Sequence, residues 1–304
     1  MPLNALYDLP APAKLNLYLH VVGRRADGYH LLQSVFTLID WADTLHLERR
    51  DDGLIQRHDL GAALPAEDLC LKAARALQAA SGCTLGADIS IDKQVPWGAG
   101  LGGGSSDAAT VLIGLNRLWG LGWSREQLLA LGERLGADVP FFIGGHTAFV
   151  EGIGELLTPV TMAPQHYAVL KPAAAIPTAG IFSSPLLTRD TRPAIVTGFL
   201  AHAEALITKE RDGDNLPAAF WGHNDLQRAA ESLCPEVAEV GRWLQARFGN
   251  SRMTGSGSAV YARAGAGDQP VATMQEGRTE GWPEGWVGRM CRSLDVHPMA
   301  GWLG

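Results

Sequence analysis

The chain has 304 residues, 46% of them apolar and 19% charged, which leaves room for two domains with sizeable cores and excludes a disordered chain. A net charge of −7 argues against nucleic acid or a membrane surface as the main partner. Cys70, Cys83, Cys234 and Cys291 lack the spacing of a zinc or disulfide framework, so reduced packing cysteines are the default. With no secretory leader pattern and no apolar run of spanning length, a cytoplasmic protein is expected.

The first pattern is Leu15, Leu17, Leu19 and Val21 alternating with Lys14, Asn16, Tyr18 and His20. That is a strand with one apolar face, and it puts Lys14 and Asn16 together on the other face. Asp27-Gly28 is a turn signal, and Tyr29 to Ile39 reads as the return strand of a long hairpin, with a further strand over Thr44 to Glu48. Leu69, Ala73, Ala76, Leu77 and Ala80 recur at helical spacing, with Asp68 placed to cap and Gly82 to stop. Ile89, Ile91 and Val95 form a strand leading into a glycine run.

That run, Pro96 to Ala109, is the densest signal in the chain. Gly98, Gly100, Gly102, Gly103 and Gly104 fall within seven positions, Ser105 and Ser106 follow, and a helical stripe of Ala108, Leu112, Leu115 and Trp119 begins. Glycine admits close backbone approach, and a helix start offers unpaired N–H groups with partial positive charge. Together they predict a phosphate cradle. The string lacks the Gly-Lys-Ser/Thr ending of the common nucleotide loop. Gly98, Gly100 and Gly103 match the dinucleotide fingerprint, but a second strand ending in a carboxylate about 20 residues on is missing. The His-Arg-Asp and Asp-Phe-Gly strings of protein kinases are also absent. A bulky side chain at Gly102 is expected to block the nucleotide and leave the fold intact.

Beyond the loop, Ser124 and Gln127 form a capping box for a helix carrying Leu128, Leu131 and Leu135, which Gly136 stops. Strands are expected over Thr147 to Val150 and Tyr167 to Leu170, then an extended Ile176-Pro177-Thr178. Residues around Leu200 to Asp214 look helical. A helix opens at Asn224, restarts at Pro235 and ends at Gly249, and a second glycine turn over Arg252 to Ser258 precedes a strand. From Gly265 to Gly304 one helix and an irregular tail are expected.

The run from Pro96 to Ser106 resembles the ATP loop of the GHMP kinases, Pro-x-x-x-Gly-Leu-Gly-Ser-Ser. Lys14-Leu15-Asn16-Leu17, Asp27-Gly28-Tyr29-His30, Gly136-Ala137-Asp138-Val139-Pro140, Ile176-Pro177-Thr178 with Phe182, and Thr254-Gly255-Ser256-Gly257 occur in the order of one branch, whose acceptor is a cytidyl diphosphate alcohol. The resemblance spans about residues 10 to 262. It implies a two-domain α+β fold: residues 1–160 like a domain of a small-subunit ribosomal protein, binding ATP and catalysing, and residues 161–304 ferredoxin-like and binding substrate. It implies an ATP- and Mg²⁺-dependent kinase that phosphorylates the 2-hydroxyl of that small-molecule alcohol.

The resemblance also assigns roles. Lys14 and Asp138 are catalytic, Asp138 as the base for the acceptor hydroxyl. Pro96, Gly98, Gly100, Leu101, Gly102, Gly103, Gly104, Ser105 and Ser106 hold the nucleotide. Asn16, Tyr29, His30, Thr178 and Phe182 hold the acceptor, with the aromatic rings around the base. Asp107, in the first helical turn, reads as structural. Asp68 stands where the branch often has asparagine, which removes an amide donor near the adenine. The remaining alternatives are another GHMP-type kinase such as a mevalonate or homoserine kinase, a nucleotide-binding oxidoreductase, or a non-catalytic binding protein. No magnesium ligands or oligomeric state follow from the residues.

Overall fold

The computed structural model describes residues 3–193, 222–274 and 282–303. The helix expected around Leu200 to Asp214 lies outside the described residues.

The frame is a hairpin of two long strands, β1 (Ala5–Arg24) and β2 (His30–Arg50), joined by the Asp27-Gly28 turn. The strand expected over Thr44 to Glu48 is the far end of β2 itself. β2 also pairs with β4 (Gly86–Asp92) and β5 (Ala148–Glu151), both antiparallel, and β5 pairs with β6 (Leu156–Pro159). The one parallel ladder among the described residues joins β3 (Ile55–Asp59) to β4. A doubly wound parallel sheet is therefore excluded, and the oxidoreductase reading goes with it.

Four helices cover the first half: α1 (Leu69–Ser81), α2 (Gly103–Leu118), α3 (Arg125–Glu133) and α4 (Val139–Gly144). Their ends follow local chemistry. Asp68 accepts from Leu71 N–H at 3.0 Å to start α1, and Gly82 closes it in the left-handed region. Ser124 and Gln127 form the complete capping box of α3. The inward stripes bury Leu77, Leu112, Leu115 and Leu128 against Leu45, Leu47 and Ile89. Truncating one such leucine to alanine costs about 2–5 kcal/mol.

The second half stacks α5 (Thr178–Ser183), α6 (Gln227–Leu233) and α7 (Pro235–Phe248) on a sheet of β7 (Gln165–Lys171), β8 (Arg252–Met253), β9 (Val260–Ala266) and β10 (Val287–Leu294). Thr178 opens a helix and does not continue the extended segment. The described tail holds the strand β10 and a 3₁₀ turn (Ala300–Trp302) where a helix was expected. β10 pairs with β7 and, through Ser293 and Leu294, with β2, so it stitches the two halves into one ten-strand sheet. A third core, with Leu15, Leu17, Leu101, Phe149, Tyr167 and Tyr261, lies between them.

Candidate active site

The glycine run builds the start of α2. Gly102, at φ +72°, is its N-cap, and Ser106 N–H makes the first helical bond, to Gly102 O at 2.9 Å. The N–H groups of Gly103, Gly104 and Ser105 precede that bond and have no partner inside the helix. They form the positive end of a helix of 16 residues, suited to an anion. Ser105 is half-buried, with no side-chain partner among the described residues. Ser106 differs: it is fully buried and its hydroxyl donates to Pro12 O at 2.7 Å, tying α2 to β1.

Two glycine turns interlock here. Ser258 N–H donates to Gly98 O at 3.2 Å and Ala259 N–H to Ala99 O at 3.1 Å. A Cβ on Gly100 would lie 2.3 Å from Thr254 O, so this glycine is required by the neighbouring turn whatever the ligand. A Cβ on Gly102 would lie 2.9 Å from the Phe142 ring and 3.1 Å from Lys14 Cγ. The expectation that Gly102 tolerates a bulky residue fails for that reason. Leu101 is buried, and its carbonyl accepts from Lys14 N–H at 2.9 Å, which sets the loop against β1.

Lys14 is 3% exposed, not the solvated lysine that strand alternation alone suggests. Its ammonium lies 3.6 Å from Asp138 Oδ2, donates to Asn16 Oδ1, and sits 4.4 Å above the Phe36 ring. Burial pushes the Lys14 pKa down, and the Asp138 charge opposes that shift. Asp138 is the N-cap residue of α4 but makes no capping bond, so its half-buried carboxylate is left for the cleft.

Asn16 is engaged on every side. Its N–H donates to Thr254 Oγ1 at 2.9 Å and its amide Nδ2 to Ser34 Oγ at 3.0 Å. A cleft of about 160 Å³ runs past Lys14, Asn16, Asp138, Gly102, Thr178 and Phe182. Thr178 and Ser256 hydroxyls meet at 3.0 Å across it. His30 stacks on Phe182, centroids 5.0 Å apart and 25° from parallel. Neither His30 nor Tyr29 lines the cleft itself: His30 reaches it through Phe182, and Tyr29, 62% exposed on the hairpin turn, stands apart. A larger cavity of about 350 Å³ opens between Thr37, Gln165 and Ser293, but no lysine, arginine or glycine loop reaches it. The cation, the carboxylate and the glycine loop thus meet at the smaller cleft.

Asp107 is buried beside Lys93, whose ammonium reaches its Oδ2 at 2.6 Å and also bonds Asp43. Burial raises the Asp107 pKa and Lys93 opposes the rise. Asp43 in turn accepts from Gln94 and Val95 N–H at 2.6 and 2.7 Å, so this triad braces the entry to the glycine run. Asp68 caps α1 and pairs with Arg57 at 3.0 Å. Phe36, Ser34 and Arg189 join the site without a local sequence signal, whereas Thr254 comes from the second glycine turn. Phe36 alone could be found from hairpin register, since it faces Asn16 across the strands.

A cation and a carboxylate in contact, facing an unpaired helix N-terminus, suit the transfer of a phosphoryl group to a hydroxyl. Residues 68–146 match the GHMP kinases N terminal domain, and residues 204–273 match the GHMP kinases C terminal family. A curated relative from Methylibium petroleiphilum, named 4-diphosphocytidyl-2-C-methyl-D-erythritol kinase, is 63% identical over all of both chains. The chain belongs to the GHMP kinase family. A relative of the same name from Verminephrobacter eiseniae is 55% identical, covering 99% of this chain and 98% of its own. A crystal structure titled 4-(cytidine 5'-diphospho)-2C-methyl-D-erythritol kinase aligns with TM-score 0.70 at 37% identity, over 84% of this chain and 89% of that one. This GHMP kinase has, among its described residues, no helix long and apolar enough to cross a membrane.

Proposed function

We propose that this kinase transfers the γ-phosphoryl group of ATP to the 2-hydroxyl of 4-diphosphocytidyl-2-C-methyl-D-erythritol, a step of non-mevalonate isoprenoid precursor synthesis in the cytoplasm. The observation that carries the reading is the Lys14–Asp138 contact at 3.6 Å, at the mouth of the loop that starts α2. The names of the close relatives supply the acceptor.

In this reading the phosphates lie on the N–H groups of Gly103, Gly104 and Ser105, with Pro96, Gly98, Gly100, Leu101 and Gly102 shaping the loop and Ser106 anchoring it. Asp138 accepts the proton of the acceptor hydroxyl as that oxygen approaches phosphorus. Lys14 stabilises negative charge gathering on the transferred group. Asn16 keeps the ammonium aimed. Thr178 contacts the diphosphate or polyol end, and Phe182, with His30 stacked on it, holds the base.

Mg²⁺ fits the donor set. Among the described residues there is no cluster of three His, Cys, Asp or Glu side chains able to cage a metal. Mg²⁺ commonly takes one or two protein oxygens and fills its shell with phosphates and water. Ser105 on the loop and Asp138 in the cleft would hold the ion, which would neutralise phosphate charge there.

A substrate panel tests the proposal: the cytidyl diphosphate alcohol, methylerythritol phosphate, mevalonate, homoserine and galactose, each with ATP and Mg²⁺. The cytidyl substrate is expected to dominate, because a pocket built around a base leaves its polar groups unmatched without one, at about 10⁴–10⁵ in specificity. Equal rates with methylerythritol phosphate would overturn the acceptor and leave a GHMP kinase of other specificity.

A further inference from the structure

Arg189 follows α5 in the chain, and four of its five N–H donors bond to the protein. Nη2 donates to Phe182 O and Ser184 O, both at 3.0 Å, and Nη1 to Leu187 O at 3.2 Å. These bonds seat the cation at the C-terminal end of α5, where exposed carbonyls attract positive charge. Its Nε–H crosses to the start of β2 and meets His30 Nε2 at 3.4 Å.

The chemistry of that last contact fixes a proton. A guanidinium stays protonated and has donors only. His30 Nε2 must then be the acceptor, so the neutral ring carries its hydrogen on Nδ1. Burial, then the charges of Arg189 and Arg24, hold the ring neutral by pushing its pKa down. Nδ1 has no protein partner among the described residues, while the ring is stacked on Phe182, which lines the cleft. An oriented N–H donor therefore stands beside an aromatic plate.

We infer that Arg189 sets base specificity at a distance, by holding His30 as an Nδ1–H donor that matches the acceptor edge of cytosine and mismatches uracil. Cytosine offers a lone pair at ring nitrogen N3 beside its carbonyl, whereas uracil carries a hydrogen at N3. A donor facing a donor makes no bond, and both groups lose their water on contact. Arg189 touches no substrate itself; it is a positioning residue. The inference rests on the base-pocket reading of His30 and Phe182 proposed above.

The test compares kcat/KM for the cytidyl diphosphate alcohol and its uridyl analogue in wild type, Arg189→Met and His30→Ala, alongside ¹⁵N NMR of the His30 ring. Wild type is expected to favour the cytidyl substrate by about 10- to 100-fold through this contact, with a pyrrole-like Nδ1 and a pyridine-like Nε2. Arg189→Met should raise KM for the cytidyl substrate, narrow the cytidyl-to-uridyl ratio, leave KM for ATP unchanged and let the ring proton exchange between nitrogens. A wild-type ring carrying its proton on Nε2 overturns the inference without any variant. So does an unchanged ratio in Arg189→Met when His30→Ala raises KM. If His30→Ala leaves KM for the cytidyl substrate untouched, the base-pocket reading is what fails.

Discussion

Lys14 has two opposed influences on its charge, and their balance is expected to bear on turnover at alkaline pH. Burial lowers its pKa, and the nearby Asp138 restores only part of the loss. The ammonium therefore gives up its proton at lower pH than an ordinary lysine, and turnover should fall on the alkaline side below the usual lysine range. Arginine cannot be deprotonated in that range, so Lys14→Arg should remove the alkaline limb even with a lower plateau. A pH–rate profile in which both proteins share one alkaline limb would detach Lys14 from the titration. Asp138→Asn should lower kcat by about 10²–10⁴ with KM nearly constant, the usual effect of losing a positioned base. Removing both groups should cost less than the two losses summed, because they act as one unit. A near-normal kcat in Asp138→Asn would mean that the hydroxyl attacks without a base, as a loose transition state permits.

At the level of elements, the start of α2 separates positions that hold the fold from positions that meet the ligand. A Cβ on Gly100 or Gly102 collides with protein, but a Cβ on the exposed Gly104 meets nothing nearer than Leu69 Cδ1 at 3.9 Å. Gly104→Val is thus the clean probe: it should raise Kd for ATP by at least about tenfold while the thermal midpoint moves little, since surface changes usually stay within ±0.5 kcal/mol. Calorimetric titration giving wild-type affinity would move the phosphates off this helix end. The same contrast explains what the sequence reveals and what it hides. The hairpin, α1 between Asp68 and Gly82, α2, the capping box of α3 and the Pro235–Gly249 helix all carry their signals in adjacent residues. β10 does not: Val287–Leu294 is interrupted by glycine and two arginines, and it is a strand because β7 and β2 pair with it from either side. In the site, the glycine run and the shared face of Lys14 and Asn16 are local facts. The contact of Lys14 with Asp138 and the reach of Arg189 to His30 are tertiary, and no periodicity encodes them. Tyr29 shows the converse, since its string is clear while its ring stands outside the cleft.

Over the whole molecule, the last residues return to the first half, and one histidine makes that return sensitive to acid. Met299 and Leu303 are buried in the core of α1 to α4, and Arg125 joins the carbonyls of Ile143 and Gly144 to those of Ala300 and Leu303. His297 sits at this seam: its N–H donates to Gly145 O at 2.8 Å, and its Nδ1 accepts from Met299 N–H at 3.1 Å. The neutral ring therefore carries its hydrogen on Nε2, which is buried without a partner. Burial pushes the His297 pKa down to about 4, from 6.5. Because the folded value is the lower one, the unfolded chain binds the proton first. The contribution to stability is complete above pH 6.5, declines as the pH falls, and is gone below about 4. A shift of this size corresponds to about 3 kcal/mol across that window. His20 is displaced in the same direction, again by burial first, and adds to the slope. Urea denaturation at pH 7, 5.5 and 4.5 should show wild type losing stability steadily. His297→Met, which fills the site without a titrating group, should lose less by an amount that grows as the pH falls. Parallel curves for the two proteins would mean that the seam opens to water before the histidine is protonated, and that acid reaches the fold through other groups.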